Sequence, residues 1–104
     1  MKKALQANGN SWQLYINKPL ADILGITSDN YVISLVVREK VIHIQLHNDA
    51  EEVSSGMLTK KLIRRGSGYG LNISKPLLEV LEIDPENDVI NIDIYENKLV
   101  IKKG

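Results

Sequence analysis

A basic cluster opens the second half of the chain. Its members are Lys60, Lys61, Arg64, Arg65 and Lys75, and no acidic residue interrupts them. Ammonium and guanidinium groups neutralise phosphates, and the Arg fork also bonds bidentately to base edges. The net charge is zero, but an uneven charge layout still steers a polyanion to one face. The cluster therefore suits a phosphate-rich partner, although a run of charge is more often simply a solvated surface, and charge alone does not decide between the two.

Other chemistries lack the residues they need. The chain has no Cys, which excludes a disulfide framework, a thiolate zinc site and a Cys nucleophile. The glycine-rich run at 66–70 lacks the Gly-Lys-Ser/Thr ending of a phosphate-binding loop and predicts a turn between strands. His43 and His47 have no carboxylate at ligand spacing. We expect no enzyme activity, no metal and no cofactor.

Composition points to an ordinary globular protein. Apolar residues make up 43% and charged residues 25%. No apolar run approaches the ~20 residues that cross a bilayer, and the N-terminus has no signal-peptide core. We expect a cytoplasmic protein with no membrane association.

The chain consists of two similar halves. Residues 2–47 and 59–104 align without a gap at an offset of 57, and about a third of the aligned pairs are identical. The sequence NKPL at 17–20 recurs as SKPL at 74–77. Each half is too short to bury a sufficient core alone. We therefore predict a first repeat at 1–47, an acidic and polar linker at 48–58 and a second repeat at 59–104, with both repeats forming one structural domain.

Each repeat reads as β-β-α-β-β. In the second, we predict a strand over 59–65, a turn at 66–68, an alternating strand over 71–74 and two strands joined at Glu96-Asn97. Between them we predict a short amphipathic helix whose apolar positions are Leu77, Val80 and Leu81. Asn17 and Ser74 are predicted helix N-caps, Gly25 a C-cap and Asn97 a left-handed residue. The fold class is mostly β with two short helices.

A family resemblance emerges from the order of several short motifs. The first half shows NGNS at 8–11, LYINKP at 14–19 and ILGI at 23–26; the second shows RRGS at 64–67, LNISKP at 71–76 and VLEI at 80–83. The chain thereby resembles the swapped-hairpin domain of the SpoVT/AbrB superfamily, which includes the MazE-like antitoxins. The resemblance covers nearly the whole chain.

This resemblance implies a fold and a function. The two repeats would interleave as a swapped-hairpin pseudodimer barrel, with their leading loops side by side. The chain would be a DNA-binding transcriptional regulator acting on double-stranded DNA, its own operator included. A toxin protein is a possible further partner. The chain would act as a monomeric pseudodimer, or as a homodimer if strands exchange between chains.

Departures from the family pattern make the two halves unequal. Ala7 stands where the second repeat has Arg64, and Tyr15 and Asn72 occupy a strand position where Arg is common. An asymmetric DNA site is therefore expected rather than a palindrome.

Trp12 and Tyr69 follow the two loops, and for both we favour core packing over base stacking. The predicted nucleic-acid contacts are Arg64, Arg65, Ser67, Asn72, Lys60, Lys61, Lys75, Asn10, Tyr15 and Lys18.

A second function stays open. The zero net charge and the weaker first repeat also suit a protein-binding module, antitoxin-like or scaffold, that has lost DNA binding.

Overall fold

The structure is a computed structural model that describes residues 1–9, 11–47 and 57–104. Asn10 and most of the predicted linker lie outside the described residues. The described residues form ten strands and two short helices, so the mostly-β class is confirmed. The elements are β1 (Lys2–Lys3), β2 (Gln6–Asn8), β3 (Ser11–Ile16), α1 (Lys18–Leu24), β4 (Val32–Arg38), β5 (Val41–Leu46), β6 (Met57–Lys61), β7 (Ile63–Arg65), β8 (Gly68–Ile73), α2 (Lys75–Val80), β9 (Ile90–Tyr95) and β10 (Lys98–Lys103).

Two predicted boundaries in the second half were wrong. The strand expected over 59–65 is two strands, β6 and β7, separated at the buried Leu62. Strand β8 begins at Gly68 rather than at Leu71, and Gly66 in the turn before it takes the left-handed conformation at φ 57°. Met57 and Leu58, which fall within the predicted linker, lie in β6.

The strands build two antiparallel sheets. One has six strands in the order β1-β9-β10-β5-β4-β6, and the other has four in the order β2-β3-β8-β7. Both orders are open, so the described strands do not close into the barrel we expected. The chain instead passes from one sheet to the other at Leu5 and Leu62, which are buried between consecutive strands. Strands that switch sheets in this way make the corners of a two-layer packing.

Residues 57 positions apart pair with each other at two places. Leu14 pairs with Leu71 in the centre of the β3–β8 ladder, and His43 pairs with Val100 between β5 and β10. At the sheet edges β1 pairs with β9 and β6 pairs with β4. Strands from the start of each half are thus hydrogen-bonded to strands from the end of the other half.

One hydrophobic core lies between the sheets. Leu14 and Ile16 on β3 alternate with outward side chains, as do Leu71 and Ile73 on β8, which confirms the predicted period of two. Tyr69 belongs to this core. Trp12 is half-buried and packs against it, so both aromatic residues follow the packing interpretation. The core is completed by Ile33, Leu35, Ile42, Ile44, Ile90, Ile92, Leu99 and Ile101 from the six-stranded sheet and by helix residues such as Leu20, Leu24 and Leu78.

The helix ends agree with prediction in the first half and differ in the second. Asn17 caps α1, its Oδ1 accepting from the Leu20 N–H at 3.0 Å, and Gly25 ends α1 at φ 83°. Ser74 forms no side-chain cap; only its carbonyl accepts, from the Leu78 N–H. In the last hairpin the left-handed residue is Glu96, at φ 58°, and not Asn97. Neither α1 nor α2 is long and apolar enough to span a membrane, nor is any other helix among the described residues.

Candidate nucleic-acid interface

The four-stranded sheet turns one face away from the core. Since Leu14 and Leu71 point inward, their strand neighbours Gln13 and Asn72 point outward. The register carries this alternation to the flanking strands, where Asn8 pairs with Ser11 and Arg65 with Gly68. We call this surface the outer face. It comprises Gln6, Asn8, Ser11, Gln13, Tyr15, Ile63, Arg65, Gly68, Gly70 and Asn72.

A chain of hydrogen bonds crosses the outer face from edge to edge. Asn8 Nδ2 and Gln13 Nε2 both donate to Asn72 Oδ1, at 3.2 and 2.9 Å. Arg65 donates from a terminal guanidinium nitrogen to Gln13 Oε1. One residue from each of the four strands takes part. Gln13 links Arg65 to Asn72, and its own side chain is 2% exposed beneath them.

Two glycines make room for this arrangement. A Cβ on Gly70 would lie 2.6 Å from Gln13 Oε1 and 2.7 Å from its Nε2, and a Cβ on Gly68 would lie 2.6 Å from Tyr15 Oη. Side chains of β3 therefore lie flat across the glycines of β8. Gly68 and Gly70 serve close strand-to-strand contact rather than the turn that we predicted for the run at 66–70.

Two lysines hold equivalent places beside the outer face. Lys60 Nζ donates to the Asn72 carbonyl at 3.1 Å, and Lys3 Nζ lies 3.5 Å from the Tyr15 carbonyl. Lys3 also stands 5.9 Å from the centre of the Tyr15 ring, a cation–π distance. Each ammonium group is thus fixed at one flank of the β3–β8 pair.

Arg64 points away from Arg65. Adjacent strand residues face opposite sides, and the Arg64 guanidinium lies over the Tyr69 ring, 5.6 Å from its centre. Arg64 Nε also donates to the Gly66 carbonyl at 3.2 Å. Together with Lys18 and Ser67, Arg64 lines an open crevice of about 250 Å³. The predicted arginine pair therefore contributes to two neighbouring surfaces.

The remaining predicted residues are spread further. Lys61 lies beside Val32, on the opposite side of β6 from Lys60. Lys75 is exposed at the start of α2. Asn10 lies outside the described residues.

The two leading loops do not emerge side by side, so that expectation was wrong. The β2–β3 loop follows Asn8 at the end of the ladder where Trp12 pairs with Ile73. The β7–β8 loop follows Arg65 at the other end, where Ile16 pairs with Tyr69. Because β3 and β8 run antiparallel, loops that precede them must leave at opposite ends. Some six residues at ~3.4 Å each separate the loops by about 20 Å.

Charge is unevenly divided along the chain. Residues 1–21 and 57–78 carry eight of the thirteen Lys and Arg residues and none of the thirteen Asp and Glu residues. Among the described residues these segments contain the whole four-stranded sheet, both edge strands of the other sheet and the first turns of both helices. The basic cluster predicted from the sequence belongs to the acid-free segment in the second half. The matching acid-free stretch at the N-terminus was visible in the same way.

Asn8, Gln13 and Lys3 take part in the hydrogen bonds of this surface but were not among the residues predicted from the sequence. The only sequence signal for Gln13 is its counterpart 57 positions later, Gly70, because the Gln13 side chain lies over that glycine.

Within the described part of the chain no cluster of three or more His, Asp or Glu residues could hold a metal ion. No family model, curated protein or solved structure matches the chain.

Proposed function

We propose that the chain is a DNA-binding transcriptional regulator of the AbrB/MazE-like type, acting as a single-chain pseudodimer. Its two repeats interleave as swapped hairpins around an approximate twofold axis through the Leu14–Leu71 and His43–Val100 pairs. The reciprocal pairing of β1 with β9 and of β6 with β4 supports this arrangement. The double-stranded DNA lies against the outer face.

The observation that carries the proposal is the division of charge. In a protein of zero net charge, the layer that holds the outer face has basic residues and no carboxylate. Such a layer attracts the phosphate backbone while the acidic remainder of the surface repels it, so the duplex is oriented as it approaches. Arg65 and Lys60 lie on the outer face or at its flank, and Arg64 and Lys18 lie around the adjacent crevice.

The size of the outer face suits a duplex. Its two ends lie about 20 Å apart, and the major groove of B-DNA is about 12 Å wide. A face of this length therefore reaches the phosphate backbones on both sides of the groove. Lys60 and Lys75 lie at one end of the face, and the other end has Arg65, Lys3 and Lys18.

The test is the salt dependence of duplex binding by fluorescence anisotropy. The wild-type affinity should fall as salt rises, and Lys18→Ala with Lys75→Ala, one at each end of the face, should reduce the logarithmic salt slope by about 2, since each phosphate contact contributes about 0.9. The matched control is Lys98→Ala with Lys102→Ala on β10, which removes the same charge from the six-stranded sheet. Equal effects of the two double variants would reject the outer face as the DNA surface.

The alternative of a protein-binding module has one observation in its favour. Ile94 and Tyr95, at the tip of the last hairpin, are 46% and 66% exposed. Exposed apolar side chains at a hairpin tip suit contact with another protein. A co-purification that returned one stoichiometric protein partner, together with no duplex binding at low salt, would replace DNA binding with this function.

A further inference from the structure

We infer that the outer face reads a non-palindromic duplex in a single orientation, with Arg65 placed by Gln13 against a guanine on one side and Asn8 against an adenine on the other. This inference rests on the proposed DNA binding and specifies its substrate. It follows from comparing each outer-face residue with its counterpart 57 positions away.

The series of hydrogen bonds across the outer face is asymmetric, because residues 57 positions apart differ in type. Asn8 and Arg65 are counterparts, and so are Gln13 and Gly70. Gln13 can lie across the sheet only because its counterpart has no side chain, as the 2.6 Å approach to a Cβ on Gly70 shows. Two Gln residues in these places would collide. One Gln therefore serves the face, and it bonds to Arg65 at one end.

The two ends of this hydrogen-bonded series, Arg65 and Asn8, have side chains that match different bases. An Arg guanidinium presents donors that match guanine O6 and N7, and an Asn amide presents a donor and an acceptor that match adenine N6 and N7. Arg65 uses one terminal nitrogen on Gln13, which fixes the guanidinium while other N–H donors of the fork remain. Asn8 donates to Asn72 through Nδ2 at the opposite edge.

Gln13 acts through Arg65 and is a positioning residue. Its side chain is 2% exposed, so it does not touch the duplex, and it carries no charge that a phosphate would feel. Its loss should therefore change sequence discrimination and leave the salt slope unchanged. Loss of folding would instead weaken binding to every sequence.

The experiment selects bound duplexes from a pool with a randomised central segment and sequences them. We expect the wild-type protein to select an asymmetric motif with guanine on one side. Asn8→Arg should turn this motif toward a palindrome with guanine on both sides. Gln13→Ala should reduce discrimination for that guanine roughly tenfold at an unchanged salt slope, because a good bidentate contact discriminates by about that factor or more.

Gly70→Ala is the second variant for the positioning role, since its methyl group displaces the Gln13 amide without removing Gln13. Gln45→Ala on β5 makes the same side-chain change as Gln13→Ala on the other sheet and should leave the motif unaltered. A palindromic wild-type motif, or an unchanged motif in Asn8→Arg, would overturn the inference while DNA binding stands. Equal discrimination in Gln13→Ala, Gly70→Ala and wild type would overturn the role of Gln13. An absence of any duplex binding would overturn the proposed function and this inference with it.

Discussion

Gly68 and Gly70 occupy the same strand, yet alanine at the two positions should have different effects on stability. A Cβ on Gly68 would lie 2.6 Å from Tyr15 Oη and closer still to the carbonyl oxygen of Ile16. The three atoms nearest to a Cβ on Gly70 all belong to the amide end of Gln13. At Gly68 the obstructing atom belongs to the backbone and cannot easily move. At Gly70 the obstructing atoms belong to a flexible side chain, which can move.

The cost at Gly68 follows from the β3–β8 ladder. The Ile16 carbonyl belongs to β3, which pairs with β8 from Trp12–Ile73 to Ile16–Tyr69. Relief therefore requires the strands to separate locally, and overpacking of this kind costs about 1–3 kcal/mol. Alanine recovers about 0.5–1 kcal/mol of backbone entropy within a strand. We expect Gly68→Ala to lower the free energy of unfolding by about 1–2 kcal/mol and the melting temperature by roughly 5–15 °C.

The matched variant Gly70→Ala should be nearly neutral. Gln13 swings outward and gives up its bonds to Arg65 and Asn72, each worth about 0.5 kcal/mol where water replaces the partner. The backbone gain of about 0.5–1 kcal/mol offsets this loss, so stability should stay within about 1 kcal/mol of wild type. Thermal unfolding followed by circular dichroism compares the two. Equal melting temperatures of the two variants, or a Gly68→Ala protein more stable than wild type, would refute the reasoning.

Three further changes test the packing, the capping and the shifted carboxylate of Asp84. Leu14→Ala should cost about 2–5 kcal/mol and keep a single unfolding transition in calorimetry, because the residue is fully buried between the halves; two separate transitions would contradict one shared core. Asn17→Ala should lose about 1 kcal/mol in denaturant unfolding and Ser74→Ala less, because only Asn17 makes a side-chain cap; equal losses would contradict this. The hydrogen bond from the Asn87 side chain lowers the pKa of Asp84 below its ordinary value of 3.8. Its contribution to stability is therefore present above that value and lost as pH falls through the lower folded pKa, and Asn87→Ala should raise the Asp84 pKa in an NMR titration.

Much of the secondary structure followed from neighbouring residues. The alternation of Leu14 and Ile16 with polar residues predicted a half-buried strand, and Asn17 and Gly25 marked both ends of α1. The two errors in strand bounds arose where the deciding partner is distant. The break at Leu62 depends on its burial between two sheets, and the early start of β8 at Gly68 depends on a β3 side chain lying over it.

The candidate site divides in the same way. The wealth of Lys and Arg and the lack of carboxylates in the two acid-free segments are visible in the amino-acid order, because charge is a property of each residue. That Arg64 and Arg65 serve different surfaces required the alternation of β7 and its register with β8. Asn8 and Asn72 are 64 positions apart, and nothing in either residue signals that they meet.

Bond geometry between adjacent residues limits each short segment to a strand, a turn or a capped helix, so side-chain period and cap chemistry indicated the type of most elements but not all of their bounds. Which strands become neighbours depends on how two halves share one core, and a shift of one residue in register would move every side chain to the opposite face. The placement of Gln13 over Gly70, and with it the asymmetry of the outer face, belongs to this second level.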